Sequence, residues 1–165
     1  MQEYKYCPMC MSPLGSDFIE GRERLNCPRC KWVNYRNPLP VVACLLLNRG
    51  GELLLIKRGI EPCKGAWALA GGFIELDETY REAAERELEE ETGLCGKAGR
   101  LVGVHMHESP LYGALVVIGV EITAEREEIT VGDDAADARF FPKEALPEVP
   151  FPSHRNLIED FFRVN

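Results

Sequence analysis

The pattern of hydrophobic and polar residues predicts several strands along the chain. The apolar run from Val41 to Leu47 is typical of a strand covered on both faces. "ELLLIKR" predicts a second strand, joined to the first by a turn at Arg49-Gly50-Gly51. "RLVGVHMHE", "YGALVVIGVEITA" and "ARFFP" predict three more. The chain therefore has enough strands for a sheet that buries one or both faces.

Two helices accompany these strands. The segment from Glu78 to Thr92 predicts a helix that Gly93 closes as a C-cap. Near the C-terminus, "SHRNLIEDFFRV" predicts an amphipathic helix with Ser153 as its N-cap. Strands before and after a central helix, followed by a terminal helix, indicate a layered α/β (α+β) fold.

The central helix has an unusual charge pattern, because "REAAERELEEETG" contains six glutamates. Its apolar side, expected to face the sheet, holds Tyr80, Ala83, Ala84 and Leu88. With about 100° per residue, three glutamates lie opposite that side, in solvent: Glu82, Glu85 and Glu89. The other three lie among the apolar positions: Glu87, Glu90 and Glu91.

Three carboxylates on the side that faces the sheet are costly unless positive charge joins them. Arg86 borders this group and can brace one carboxylate, but one arginine does not neutralise three. Hard divalent cations such as Mg²⁺ or Mn²⁺ prefer oxygen ligands and would neutralise the group. The helix therefore predicts a metal site, and a metal held by carboxylates suits phosphoryl chemistry.

The N-terminal segment has the cysteine spacing of a zinc ribbon. Cys7, Cys10, Cys27 and Cys30 form a C-x2-C-x16-C-x2-C pattern, in which two tight knuckles can complete a tetrahedral Zn²⁺ site. "LGSDFIEGRERLN" between them predicts a β-hairpin. A segment this small gains its stability from the metal. Four cysteines leave no open position, so the predicted role is structural; an iron–sulfur cluster is the alternative.

A connector, "NYRNPLP" from Asn34 to Pro40, then separates a ribbon at residues 1–37 from a larger domain at residues 38–165. The 165-residue chain is 45% hydrophobic and 28% charged, an ordinary globular composition. The longest apolar run is too short to span a bilayer and no secretory signal is evident, so we expect a cytoplasmic protein without a membrane partner.

Net charge is −8 and unevenly distributed. Residues 1–36 carry six Lys/Arg against four Asp/Glu (+2), and the remainder carries thirteen against twenty-three (−10). An acidic body argues against broad electrostatic binding of nucleic acid. It is compatible with phosphorylated ligands, because a bound cation inverts the local field.

The segment from Gly72, "GFIELDETYREAAERELEEETGL", fits the Nudix box G-x5-E-x7-R-E-U-x-E-E-x-G-U, in which U is bulky and aliphatic. The fixed places are filled by Gly72, Glu78, Arg86, Glu87, Leu88, Glu90, Glu91, Gly93 and Leu94. The chain thus resembles the Nudix hydrolases. The resemblance implies a mixed β-sheet sandwiched between helices over about residues 38–165, with the box forming a loop–helix–loop.

The same resemblance implies a Mg²⁺-dependent hydrolase that cuts the diphosphate of a nucleoside diphosphate derivative. By the motif, Glu87, Glu90 and Glu91 would ligate the metal with help from the Gly72 carbonyl. Glu78 would assist through water or Arg86. The general base differs among Nudix enzymes, which leaves Glu87 and loop acids such as Asp133 and Asp134 as candidates.

A four-cysteine ribbon before a Nudix domain resembles two groups, the NADH pyrophosphatases and ribbon-bearing enzymes acting on FAD or ADP-ribose. The first group carries S-Q-P-W-P-F-P-x-S after the box, which "RLVGVHMHESPLYGALVV" lacks. "VPFPSH" at Val149–His154 echoes it, and we interpret this echo as coincidental. The preferred substrate is therefore ADP-ribose or FAD, with NADH next. The ribbon-bearing relatives also suggest a homodimer.

Other residues have two interpretations each. Trp67 could stack on a base or pack under its loop, and Arg58 could contact phosphate or serve as a surface charge. His105, His107 and Glu108 could form a second metal site, although two such histidines are more often structural or exposed.

The sequence is compatible with two other functions for the whole protein. The first is a non-catalytic nucleotide sensor or nucleic-acid-binding regulator, for which the slightly basic ribbon argues. The second is RNA-end decapping, which uses the same chemistry on a larger substrate. The complete acidic set favours an enzyme, because a sensor does not need every metal ligand.

Overall fold

The computed structural model describes residues 4–132 and 134–164. The strands are β1 (Gly15–Ile19), β2 (Arg22–Asn26), β3 (Leu39–Leu46), β4 (Leu53–Arg58), β5 (Trp67–Ala68), β6 (Gly96–Ser109), β7 (Gly113–Ala124) and β8 (Ala135–Phe141). The helices are α1 (Tyr80–Thr92) and α2 (Pro152–Val164), with a short 3-10 turn at Lys143–Ala145. This is a mixed α+β architecture, as predicted.

Two three-stranded sheets form the body. In the first, β7 lies between β3, which runs parallel to it, and β6, which runs antiparallel. In the second, β4 lies between β5 and β8, both antiparallel to it. Helix α1 packs on one face of these strands and α2 on the other, so the sheets lie between helices.

Strand β3 shows why its apolar run has no polar alternation. Its even-numbered residues Val42, Cys44 and Leu46 belong to the core cluster under α1. Val41, Ala43 and Leu45 belong to the cluster under α2. Each face of the strand meets a different helix, which confirms the prediction of burial on both sides.

Strands β3 and β4 are joined by the predicted turn but do not form a hairpin with each other. A turn does follow β3, with the Asn48 N–H donating to the Glu52 carbonyl at 3.0 Å. The two chains then share a single bridge, between Leu47 and Leu53, and enter different sheets. The outer edge of β3 instead bonds to the loop before α1. Val42 N–H donates to the Gly72 carbonyl at 2.8 Å, which fixes this loop against the strand.

Helix boundaries differ slightly from the predicted ones. Helix α1 begins after Thr79, whose side chain forms a capping box with Glu82, and not at Glu78. Its end at Gly93, in a left-handed conformation with φ 66°, is as predicted. Helix α2 begins at Pro152, a residue suited to the first helical position. Ser153 therefore lies inside the first turn, and the prediction that it caps the helix is wrong.

The N-terminal hairpin is confirmed. Strands β1 and β2 pair antiparallel around Glu20 and Gly21, which both have positive φ (52° and 80°), as a tight hairpin turn requires. No helix in the described part of the chain is long and apolar enough to cross a membrane.

Candidate active site

A cleft of about 370 Å³ lies where α1, the Gly71–Gly72 loop, β6 and the start of α2 meet. Its floor is apolar, with Val41, Leu69, Leu115 and Val117. Two acids of α1, Glu87 and Glu91, line the same cleft. The structure thus opens the acidic side of the helix onto a cavity in the size range of small-molecule sites.

Glu91 is the buried acid of this helix, with a relative exposure of 8%. Its carboxylate accepts a hydrogen bond from the Gly71 N–H at 2.8 Å. Burial raises the pKa of Glu91 to about 8, and the nearby charge of Glu87 adds to the rise, while the Gly71 hydrogen bond opposes it. A carboxylate held this way attracts positive charge.

Glu87 lies directly against the α-carbon of Gly72. A Cβ added to Gly72 would lie 2.4 Å from the Glu87 Oε1 atom, so the loop needs a glycine there for Glu87 to keep its place. Burial also raises the pKa of Glu87, although Arg86 opposes that shift. The Gly72 carbonyl, which the motif makes a metal ligand, already accepts the Val42 N–H.

Arg86 braces more acids than predicted. Its guanidinium contacts Glu78 at 2.7 Å, Glu87 at 2.8 Å and Glu90 at 2.9 Å, and donates to the Phe73 carbonyl at 3.0 Å. The hydrogen bonds to Glu78 raise the pKa of Arg86 and lower the pKa of Glu78. One arginine thus fixes three carboxylates and the loop.

Two glutamates lie differently from the helical prediction. The Glu90 side chain is 59% exposed, so only Glu87 and Glu91 turn inward. Glu90 lies at the edge of the apolar side and contacts Arg86 at 2.9 Å. Glu85, predicted to be solvated, is half-buried and accepts the Ala98 N–H at 2.9 Å, because β6 passes beside that face of the helix. The carboxylates of Glu87, Glu90 and Glu91 do not converge within 4.8 Å of one another.

The opposite wall of the cleft is formed by a segment whose likeness to the pyrophosphatase signature we interpreted from the sequence as coincidental. Phe151, Ser153 and His154 of the "VPFPSH" segment all line the cleft, facing His107 of β6. The likeness of "VPFPSH" to part of the pyrophosphatase signature was the sequence feature that pointed to these residues. Because the segment lies far downstream of the box, the sequence alone favoured a coincidence.

Of the two predicted substrate contacts, Arg58 and Trp67, only Arg58 lies in the cleft. Arg58 lines the cleft and donates through Nε to the Pro62 carbonyl at 2.7 Å. Trp67 is not among the residues that line it: its ring packs edge-on against Phe141, with 4.8 Å between ring centres, which agrees with the packing interpretation. Asp134 lines the cleft, while Asp133 lies outside the described residues.

The two histidines of β6 have separate surroundings. The Nε2 atom of His105 lies 2.8 Å from the Asp160 carboxylate on α2. His107 stacks edge-on against Phe151, with 5.6 Å between ring centres. His105 therefore contacts α2, and His107 contacts the residue that precedes this helix, which agrees with a structural role for both. Within the described residues neither belongs to a cluster that could hold a metal.

The four ribbon cysteines are brought together as their spacing predicts. Their sulfur atoms all lie within 4.8 Å of one another, with Cys7 and Cys30 at 3.5 Å and Cys10 and Cys27 also at 3.5 Å. Across residues 4–132 and 134–164 this is the only group of three or more Cys, His, Asp or Glu side chains whose ligand atoms all lie within 4.8 Å of one another.

The two knuckles that carry these cysteines have the same backbone geometry. Met11 and Lys31, each directly after the second cysteine of a pair, have φ of 59° and 65°. Their N–H groups donate to the carbonyls of Cys7 and Cys27, both at 2.9 Å. This repeated turn points both thiols of a pair toward one site, as a tetrahedral metal requires.

The layered fold, the acid-lined cleft and the braced glutamate helix define a hydrolase that acts on phosphorus-containing anhydrides. The family model of the NUDIX domain matches residues 37–161. The chain therefore belongs to the NUDIX hydrolase family.

Individual relatives agree with this assignment. The chain is 40% identical over 126 residues to an ADP-ribose pyrophosphatase of Methanocaldococcus jannaschii, an alignment covering 72% of this chain and 70% of that protein. It is 30% identical to the NAD-capped RNA hydrolase NudC of Haemophilus influenzae (strain PittGG), covering 91% of this chain but 56% of that protein. The crystal structure of a NUDIX hydrolase from Nitrosomonas europaea superposes with a TM-score of 0.82 at 26% identity, covering 97% of this chain and 91% of that one.

Proposed function

We propose that the protein is a Mg²⁺-dependent pyrophosphohydrolase that cleaves the diphosphate of a nucleoside diphosphate derivative. The preferred substrates are ADP-ribose and FAD, followed by NADH, and the products are a nucleoside monophosphate and the other phosphate. The observation that carries the proposal is the placement of Glu87 and Glu91 of the box in a cleft of nucleotide-accommodating size. The 40% identity to a protein named as an ADP-ribose pyrophosphatase supports the choice of substrate.

The donor set fits Mg²⁺ or Mn²⁺. Glu91 is a buried carboxylate with a raised pKa and without a cationic side chain in hydrogen-bond contact among the described residues. Glu87 shares its cleft, and both offer the hard oxygen ligands that these ions prefer. We assign Glu87, Glu90 and Glu91, with the Gly72 carbonyl, as the residues that would hold the ion. A bound ion supplies positive charge that screens the diphosphate and lowers the pKa of water.

The other predicted site residues have positioning or binding roles in this proposal. Arg86 holds Glu87 and Glu90 in place, and Glu78 fixes Arg86 through two hydrogen bonds, at 2.7 and 3.0 Å. Arg58, oriented by its bond to the Pro62 carbonyl, offers positive charge to a phosphate. Two carboxylates of the cleft can act as the general base that removes a proton from water, Glu87 and Asp134.

The four-cysteine cluster is assigned to a structural Zn²⁺ in a ribbon at residues 1–37, preceding a catalytic domain at residues 38–165. Its four thiols close the coordination shell, so the ion would stabilise the ribbon and take no part in hydrolysis. We also propose a cytoplasmic location, because cysteines that hold zinc and do not pair with one another suit a reducing compartment. We further propose a homodimer, which light scattering on the purified protein tests.

A second candidate function is the hydrolysis of NAD-capped RNA. The chain is 30–32% identical to proteins named as NAD-capped RNA hydrolases, but it spans only 32–56% of their length. The ribbon carries the positive charge that such a substrate needs, with Arg22, Arg24, Arg29 and Lys31. The acidic body favours the small nucleotides.

One experiment separates these functions. The purified protein is incubated with Mg²⁺ and a panel of ADP-ribose, FAD, NADH and NAD-capped RNA, and released phosphomonoester is detected with a coupled phosphatase. We expect the highest kcat/KM for ADP-ribose or FAD. Higher kcat/KM for NAD-capped RNA than for NADH would support the second candidate. The absence of turnover on the whole panel would instead support a nucleotide sensor.

A further inference from the structure

The hydroxyl of Ser153 is an unexplained polar group in the wall of the cleft. The residue is 1% exposed, it lines the cleft, and its Oγ has no hydrogen-bond partner among the described residues. A serine within a helix can bond back to a carbonyl three or four residues earlier. Here those carbonyls, of Pro150 and Val149, accept from Arg155 at 3.1 and 2.7 Å, and the Ser153 Oγ bonds to neither of them. The hydroxyl therefore remains available to a ligand, and an unpaired buried hydroxyl needs such an explanation.

His154, the next residue, offers a second polar group to the same cleft. Its Nδ1 accepts the Leu69 N–H at 3.2 Å, which leaves the ring proton on Nε2. Burial, together with the nearby His107 and Arg58, lowers the pKa of His154 to about 3, so the ring is neutral at physiological pH. Ser153 and His154 together present one fixed donor and one hydroxyl that can donate or accept, both uncharged.

The surroundings of this pair suit a flat organic ring. The Phe151 ring lies 5.1 Å from the His154 ring and 5.6 Å from the His107 ring. Across the cleft, Tyr112 and Phe73 form a second aromatic pair at 5.1 Å, and the floor is aliphatic. The Arg58 guanidinium lies over the same Phe151 ring, at 5.5 Å from its centre, and a planar guanidinium can also contact the face of a heterocycle. Apolar walls with a few placed polar groups are typical of sites that bind an uncharged heterocycle.

We infer that Ser153 and His154 form the subsite for a nitrogen heterocycle of the substrate, an adenine or nicotinamide ring with a hydrogen-bond acceptor beside an amino group. The His154 Nε2–H donates to the acceptor, and the Ser153 hydroxyl accepts from the amino group. This inference deepens the proposed function and rests on it for the nucleotide nature of the ligand. The two rings share this chemistry, so the experiment includes one probe for each.

The test measures the binding of AMP and of nicotinamide mononucleotide by calorimetry in the presence of Mg²⁺. Neither compound contains a diphosphate, so hydrolysis plays no part. Ser153→Ala removes the hydroxyl. His154→Asn keeps an acceptor for Leu69 N–H and removes the Nε2 donor. We expect each variant to weaken binding of one of the two mononucleotides about fivefold. The mononucleotide affected identifies the ring. The exposed Asn156, which follows on the same helix, provides the control Asn156→Ala, with affinities like those of the unmodified protein.

Three outcomes would overturn the inference. They are unchanged affinity in both variants, no binding of either mononucleotide to the unmodified protein, or a melting temperature lowered by several degrees in Ser153→Ala. The last would mean that the hydroxyl has a partner within the fold. An unpaired hydroxyl instead predicts an unchanged or higher melting temperature after its removal.

Kinetics separate this inference from the proposed function. For ADP-ribose or NADH, the variants should raise KM with little change in kcat, because the ring lies away from the reacting phosphates. If the variants bind a mononucleotide more weakly than the unmodified protein but no substrate is hydrolysed, the subsite is supported and the proposed function is wrong. If hydrolysis proceeds with identical KM in all variants, the proposed function stands and the subsite is wrong.

Discussion

The carboxylate of Glu91 accepts a hydrogen bond from the backbone N–H of Gly71 at 2.8 Å, which ties the acidic helix to the loop that precedes it. Gly71 has φ of 147°, and a Cβ there would lie 2.1 Å from the Val42 carbonyl oxygen. The loop is thus pressed against β3 at a point where only glycine fits. This contact holds the buried acid at the edge of the cleft.

Neutral isosteres of the box acids should remove turnover and leave the fold. Glu90→Gln and Glu91→Gln each lose a negative ligand, and we expect Mg²⁺-dependent kcat to fall about 100-fold or more. Glu89→Gln, on the exposed side of the same helix, is the matched control and should keep full activity. Melting temperature and circular dichroism check the fold. Full activity in both variants would refute the metal assignment.

The two neighbouring glycines should respond differently to alanine. Gly71→Ala forces a Cβ against the β3 backbone, so we expect a loss of stability of about 3 kcal/mol or more. Gly72→Ala meets only the Glu87 carboxylate, a side-chain end that can move. It should fold normally but lose about 10- to 100-fold in activity, because Glu87 is displaced. Denaturant unfolding and kcat/KM measure the two effects. Normal activity in Gly72→Ala would show that the place of Glu87 is unimportant.

Arg86 should not be replaceable by lysine. A lysine keeps the charge, but it cannot bridge three carboxylates and the Phe73 carbonyl as the guanidinium does. We expect Arg86→Lys to lower kcat about 10- to 100-fold, with a stability loss of about 1–3 kcal/mol. Arg81→Lys, on the exposed face of α1, controls for the change of residue type. Equal kinetics for both variants would mean that charge alone is enough.

Zinc removal should destabilise the ribbon more than it affects catalysis. We expect native mass spectrometry to find one zinc per chain, and Cys27→Ser to abolish it, because Cys27 is a buried member of the cluster. Cys95→Ser changes an exposed thiol outside the cluster and should keep the metal. Prolonged chelation should lower the melting temperature while activity returns with Mg²⁺. An unchanged melting temperature would exclude the structural role.

His154 should make the protein less stable in mild acid. The unfolded chain protonates this histidine near its ordinary pKa of 6.5, whereas the folded chain does so only at about 3. Between these two pH values the unfolded state therefore binds more protons than the folded state. The protonation of His154 thus lowers the free energy of unfolding as pH falls from about 6.5 to 3. In His154→Asn this contribution is absent, so its stability should depend less on pH across that window, as measured by urea unfolding. Identical pH profiles would contradict the lowered pKa.

The sequence alone predicted four features: the cysteine cluster, the ribbon hairpin, the C-cap at Gly93, and the inward side of α1 with Glu87 and Glu91. Each depends on a short-range regularity: ligand spacing, turn chemistry or the helical repeat of about 3.6 residues. Strands with clear hydrophobic runs, such as β3, belong to the same group. The pattern that predicts each of these features is local in the sequence, even where two segments meet to form it, as the two cysteine knuckles do.

Only the tertiary structure decided which sheet β4 joins, how far Glu90 turns toward solvent, and that the start of α2 completes the cleft around Glu91. These relationships join residues tens of positions apart, as with His154 and Leu69. Local periodicity states which side of an element is apolar but not which other element covers it. That choice follows from packing all the elements together, and it leaves the Ser153 hydroxyl facing the cleft and not capping its helix.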